Sequence, residues 1–256
     1  MIEVNVVLIK KKVRKLQGML IKSIAPLVRY FSKNPDENVD EFCYVLGRGE
    51  SLKEFKRSNK SKSECFLANF DDKTVAALGI EYILDKNLTI IGNCEEPILI
   101  KYLWYRLKIR NVYSVMFEDQ PYIWRGRRRT LGCLEIYGLK VLYLPANLDA
   151  DFTAKLRNTG LIAIHLAAAT YKKIFLYGYD FYQAEYVGGG FYASNLTAIK
   201  EQEHRDIGPE LIRLFYKIVD YWPDVEFVIH TYAFLTESRP NLIIYNLNKL
   251  CNRVED

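Results

Sequence analysis

The sequence predicts an α/β protein: a mostly parallel sheet with helices on both faces. Short β-rich runs alternate with helical patterns along most of the chain. Several of those runs are continuously apolar, as strands covered on both faces should be. Strand and helix in alternation favour crossover units and a parallel sheet.

Seven runs read as strands: Cys43–Leu46, Cys65–Asn69, Leu88–Gly92, Val112–Phe117, Lys140–Leu144, Ile174–Gly178 and Glu226–His230. Helical spacing marks 51–57, 72–84, 97–108, 159–171 and 209–221. In the last of these, Pro209 suits the first helical position. There is no internal repeat. A chain of 256 residues, 50% hydrophobic, is long enough for one sizeable core.

Ahead of the first strand lies a different kind of segment, about 1–40. Lys10, Lys11, Lys12, Arg14, Lys15, Lys22, Arg29 and Lys33 carry positive charge without a nearby acid. Val13, Leu16, Leu20, Ile24, Leu27 and Phe31 recur at helical spacing. Such a basic amphipathic extension suits an anionic membrane surface, or docking on the body of the protein. Asn34-Pro35-Asp36-Glu37-Asn38 reads as a linker, so one domain is expected over 41–256. No apolar run reaches the about 18 residues of a membrane span. Nor does the N-terminus have the charge order of a signal peptide. The expected location is cytoplasmic, peripheral on the inner face of the cytoplasmic membrane. Cysteines 43, 65, 94, 133 and 251 form no C-x-x-C pair, which argues against a zinc ribbon or a disulfide framework.

In parallel sheets ligands bind beyond the carboxyl ends of the strands. The first such end is Gly47-Arg48-Gly49-Glu50-Ser51. Glycines permit a tight turn and close approach to a ligand. Ser51 with Glu54 has capping-box spacing, so a helix should begin there, and its N-terminus favours an anion. The next ends carry Asn69 and Asn93, which can read a base or ribose or simply cap a turn. A later end is Gly178-Tyr179-Asp180-Phe181-Tyr182-Gln183, followed by Gly188-Gly189-Gly190-Phe191-Tyr192. The triple glycine suggests a lid over about 184–208.

Of three histidines, His165 lies in an apolar helix and reads as a core residue. His230 ends a strand and can face the site, and His204 follows the triple glycine. Imidazole titrates near pH ~6.5 and is a natural general base. Asp149-Ala150-Asp151 has the spacing of a metal motif but reads as a loop, and no metal is expected. Arg125-Gly126-Arg127-Arg128-Arg129 is a dense positive patch, suited to an acidic glycan or to solvent. Nucleic acid is not an expected partner, and the oligomeric state, homo-oligomer included, stays open.

The segments Gly47–Glu54, Asn69, Thr159-Gly160 and Lys173–Gln183, in this order and spacing, resemble the bacterial sialyltransferases of glycosyltransferase family 42. The resemblance runs from about Cys43 to about Tyr221. It implies a Rossmann-like domain and inverting, metal-independent transfer of sialic acid or a related nonulosonic acid. The donor would be its CMP derivative, with no cofactor, and the acceptor a lipooligosaccharide or capsule glycan. It assigns nucleotide contacts to Gly47, Arg48, Gly49, Ser51, Asn69, Asn93, Thr159, Gly160, Gly178 and Asp180. It assigns the catalytic base to His204 and leaving-phosphate contacts to Tyr182 and, in the lid, Tyr192 or Tyr186. Arg48 stands where the family has Asn, and His230-Thr231-Tyr232 where it has Pro-Asn-Ser. Two alternatives are a 6-hydroxymethylpterin pyrophosphokinase-like enzyme using Mg²⁺ and ATP, and a non-catalytic nucleotide-sugar-binding protein.

Overall fold

The computed structural model describes residues 41–58, 63–68, 78–83, 86–91, 108–113, 141–142, 156, 158–183 and 198–248. Within them, eight strands form a single sheet. These are β1 (Phe42–Leu46), β2 (Glu64–Ala68), β3 (Asn87–Ile91), β4 (Lys108–Tyr113), β5 (Val141–Leu142), β6 (Lys173–Tyr177), β7 (Glu226–Thr231) and β8 (Leu242–Asn246). Their order is β5-β4-β3-β2-β1-β6-β7-β8, and every neighbouring pair is parallel. The protein is therefore α/β, as its sequence predicts.

Side chains alternate across a strand, and this divides the core. Cys43, Val45, Phe66, Ala68, Ile174, Leu176, Phe227 and Ile229 point to one face and join the main hydrophobic cluster. Two helices cover that face: α2 (Thr159–Ala168) and α3 (Ala198–Tyr221). All eight residues Leu161–Ala168 are buried, so α2 is apolar all round, as a helix enclosed by other elements must be. On α3 the residues Leu211, Leu214, Phe215, Ile218 and Val219 make one buried stripe. The opposite face carries Tyr44, Phe175 and Tyr177, and the short helix α1 (Leu52–Ser58) lays Phe55 on it. The Phe55 ring meets Tyr44 edge-on at 5.1 Å and Tyr177 at 5.7 Å. Edge-to-face pairs of this kind add about 0.5–1.5 kcal/mol beyond area burial.

Glu64 and His165 show how polar groups inside this core find partners that offset the cost of desolvation. Glu64 is 2% exposed; the Tyr171 hydroxyl donates to it at 2.6 Å and the Thr89 hydroxyl to its other oxygen. His165 accepts the indole N–H of Trp222 on Nδ1 at 2.9 Å. Its neutral ring therefore carries the proton on Nε2, and it is the core residue the sequence suggests. Burial pushes the Cys65 thiol up to about 12 and raises that of Cys43 as well. Both are packed, unreactive thiols.

Some expectations shift. The fourth strand is Lys108–Tyr113, earlier than Val112–Phe117, so Lys108 does not belong to the expected 97–108 helix. In the expected 72–84 helix, Ile80–Tyr82 is a 3₁₀ turn. An eighth strand, Leu242–Asn246, joins the edge of the sheet. Helix α3 begins at Ala198 and runs through Pro209, which is interior rather than first. A proline there forfeits one helical hydrogen bond. The seat of Gly208 compensates: a Cβ on it would lie 2.6 Å from the Phe181 carbonyl oxygen, so the helix is held tightly on that loop. Residues 198–208, assigned to the lid, are consequently helical. Among the described residues, no helix is long and apolar enough to cross a membrane.

The basic extension 1–40, the rest of the lid (184–197), Tyr186, Asp149, Asp151 and the patch Arg125–Arg129 lie outside the described residues.

Candidate functional site

Strand order reverses between β1 and β6: β2 to β5 extend to one side, β7 and β8 to the other. At such a reversal the connections leave in opposite directions and open a crevice beyond the carboxyl ends. The loop Gly47–Ser51 leaves β1 at this point, and Gly178–Gln183 leaves β6 beside it.

The two loops are bonded together. The N–H of Gly47 donates to the Tyr177 carbonyl and that of Gly49 to the Gly178 carbonyl, each at 2.8 Å. The Gly178 N–H donates to the Ser51 hydroxyl oxygen at 2.9 Å. The glycines are explained by this contact. A Cβ on Gly47 would drive into the Gly178 carbonyl, and one on Gly49 into the Asp180 carboxylate. They were expected to admit a ligand; here they admit the neighbouring loop. The capping box is also redrawn. Ser51 spends its hydroxyl on Gly178, while the Glu54 amide goes to the Ser51 carbonyl.

Asp180 lies at the centre of the loops. Its side chain is 1% exposed. One carboxylate oxygen accepts the Ser51 N–H at 2.9 Å. The other accepts the Tyr232 N–H at 2.9 Å and lies 3.0 Å from the Thr231 hydroxyl, whose proton it shares with the Tyr179 carbonyl. Three strand tips, those of β1, β6 and β7, are thus tied to a single carboxylate. Asp180 was expected at a nucleotide; in the structure its carboxylate ties these loops together. The amide of Ser51, expected to meet a phosphate, is taken by it.

After Asp180 the chain makes a tight turn closed by the Gln183 N–H on the Asp180 carbonyl at 2.8 Å. Both central residues are left-handed, Phe181 at φ 46° and Tyr182 at φ 62°. Asn and Gly usually fill these positions, and a bulky residue there costs about 1–3 kcal/mol. Tertiary packing holds the strain. Phe181 is 6% exposed, its ring 5.5 Å from that of Phe215, and its carbonyl is seated under Gly208. Tyr182, half-buried, packs against the same cluster. Strain maintained by its surroundings is characteristic of functional loops.

Thr159 and Gly160 open α2, behind the cap residue Asn158, whose side chain accepts the Leu161 N–H at 3.1 Å. The Tyr179 hydroxyl donates to the Gly160 carbonyl at 3.1 Å, which brings this helix end to the crevice. Burial raises the Tyr179 phenol far above its ordinary value, so it stays protonated. Gly47, Arg48, Gly49, Ser51, Thr159, Gly160, Gly178, Asp180 and Tyr182 are therefore brought to one end of the sheet. His204 lies on α3, one turn before Gly208. Asn69, Asn93 and Tyr192 lie outside the described residues.

His230 sits elsewhere. Its ring is stacked between Tyr177 (4.6 Å, 11°) and Tyr245 (4.7 Å, 12°) on the α1 face of the sheet. Both faces of the imidazole are covered. Burial lowers its pKa below the ordinary value, because the charged form is desolvated. The folded protein then binds this proton less readily than the unfolded chain. Stability from His230 is full above about pH 6.5 and declines as pH falls toward the native pKa. Urea midpoints taken from neutral to mildly acidic pH should therefore fall more steeply for the native protein than for His230→Phe, which keeps a stacked ring.

Sequence reading did not single out Thr231 as a partner of Asp180, nor Phe234. Phe234 is 66% exposed and its N–H donates to the Gln183 side-chain oxygen at 2.8 Å. No short motif announces either residue. Compared with protein-family models, with curated proteins and with solved structures, the chain finds no match.

Proposed function

We propose that this chain is an inverting glycosyltransferase that moves sialic acid, or a related nonulosonic acid, from a CMP donor to a glycan. The observation that carries this reading is the junction of two loops at the β1/β6 reversal: Gly47–Ser51 against the strained turn at Phe181-Tyr182. In this reading the crevice is a Rossmann-like nucleotide site, and Asn69, Asn93 and Thr159-Gly160 contribute to it.

The spent amides of Gly47, Gly49 and Ser51 support phosphate recognition by side chains rather than by a glycine cradle. Tyr182, on its strained turn, would donate its phenol proton to the departing phosphate, with Tyr192 as a second donor. His204 would remove the acceptor hydroxyl proton. The acceptor oxygen bonds to the anomeric carbon as the bond to the phosphate breaks, and that electron pair leaves on CMP. The Arg125–Arg129 patch would meet an acidic acceptor. The basic extension 1–40 would keep the enzyme at the inner face of the cytoplasmic membrane.

The test is donor turnover with a CMP-activated nonulosonic acid. His204→Ala should lower the rate about 10²–10⁴-fold. Tyr182→Phe, which removes only a hydroxyl, should lower it about 10²–10³-fold. Unchanged turnover in both variants overturns the assignment of these residues. CMP binding without donor consumption would favour a non-catalytic nucleotide-sugar-binding protein. A melting shift with Mg²⁺ and ATP but not with CMP would favour the pyrophosphokinase-like enzyme.

A further inference from the structure

Residues Thr231–Leu235 leave β7 at the same end of the sheet as the crevice, and almost every bond in this short loop is fixed. The Tyr232 N–H donates to Asp180 at 2.9 Å, the Ala233 N–H to the Thr231 hydroxyl at 2.9 Å, and the Phe234 N–H to Gln183 at 2.8 Å. Two side-chain amides hold its carbonyls: that of Asn248 on Tyr232 at 2.7 Å and that of Asn246 on Ala233 at 3.2 Å. Ala233 is fully buried, and Leu235 packs against the main cluster. Between them the Phe234 ring is turned outward, 66% exposed.

A lone exposed apolar residue is ordinary on a protein surface. Phe234 differs in how it is held. Its backbone is bonded to Gln183, the residue that closes the strained turn beneath Tyr182. The backbone that carries the ring is therefore held in place beside that turn, with little freedom left to lose on binding. Pre-ordering of this kind lowers the entropic cost of recognition. The ring is flat, apolar and uncharged, so its complement is a flat apolar surface.

We propose that Phe234 is a stacking platform for the acceptor glycan: a pyranose lays its C–H face on the ring while its hydroxyls remain in solvent. This rests on the transferase reading above and names a binding residue for its second substrate. The geometry gives Phe234 no part in bond making. Removing the ring should weaken acceptor binding and leave donor chemistry alone.

The probe is lactose, whose two pyranoses both present C–H faces. Saturation-transfer difference NMR on the full chain should show contact to the ring protons of the sugar. In Phe234→Ala that signal should fall at least about fivefold, and Phe234→Trp should keep it. The melting temperature of Phe234→Ala should stay near that of the native protein, since an exposed ring contributes little to the core. Equal signals in native protein and Phe234→Ala, or no signal in the native protein, overturn the platform. CMP binding, measured separately by calorimetry, should be the same in both proteins. Its absence would count against the nucleotide reading, whatever lactose does.

Discussion

Replacing Gly178 by alanine is expected to cost about 2–5 kcal/mol, a large share of the stability of a typical domain. Two penalties add. The residue sits at φ +76°, where a Cβ costs about 1–2 kcal/mol. That Cβ would also lie 2.6 Å from the Gly47 carbonyl carbon and 2.7 Å from its oxygen. Both are backbone atoms of the opposing loop, so neither can swing aside without moving β1 from β6. Gly79 provides the contrast. It has nearly the same φ, +75°, but its added Cβ would meet the side-chain carboxylate of Glu81, which is exposed and mobile about its own torsions. Gly79→Ala should cost only about 1–2 kcal/mol. Urea unfolding of the two variants side by side measures the difference. Equal midpoints would mean that the loops at the β1/β6 reversal are not packed as described.

The second large effect is expected at Asp180. Both carboxylate oxygens accept from N–H groups, one from Ser51 and the other from Tyr232, and the second also faces the Thr231 hydroxyl. An asparagine offers one oxygen and one NH₂. Whichever way it turns, an NH₂ faces a backbone N–H, and one buried donor is left without an acceptor. Hydrogen bonds to a charged group contribute about 1.5–3 kcal/mol, and an unsatisfied buried donor costs about 1–3 kcal/mol. Asp180→Asn should therefore lose about 2–4 kcal/mol despite its near-identical shape. Amide exchange should report where. Ser51 and Tyr232 should lose protection first, while the centre of β6 keeps it. Uniform loss, or none, would argue against the carboxylate as the tie between three strand tips.

The sheet was legible in the sequence because its strands are short, continuously apolar runs bounded by glycine, asparagine or proline. Cys43–Leu46 and Ile174–Gly178 could be placed almost to the residue. β8 was not, because Leu242–Asn246 is an edge strand that leaves Ile243 and Tyr245 exposed and follows a proline. The start of α3 was misplaced for a related reason. Gly208-Pro209 has the local character of a helix beginning, yet the helix runs through it with Gly208 fitted against Phe181.

For the site, local signals found the loops but not their logic. Gly47, Gly49 and Gly178 announce tight turns, yet nothing nearby says that these turns pack on one another. The partner of the Ser51 amide is 129 residues away, beyond the reach of any spacing rule. Phe181 and Tyr182 carry no turn signal at all, since aromatic residues avoid left-handed backbone; only the folded surroundings impose it. His230, plausible as a site residue because it ends a strand, is claimed by two tyrosines from neighbouring strands.

The placement of β1 beside β6 has a consequence for biogenesis. Ser51 and Gly178 are 127 residues apart in the chain. A ribosome adding about 5–20 residues per second needs on the order of ten seconds to deliver the second after the first. During that interval the nascent β1 has a bare, apolar flank awaiting its neighbour, a natural foothold for a chaperone and a hazard in its absence.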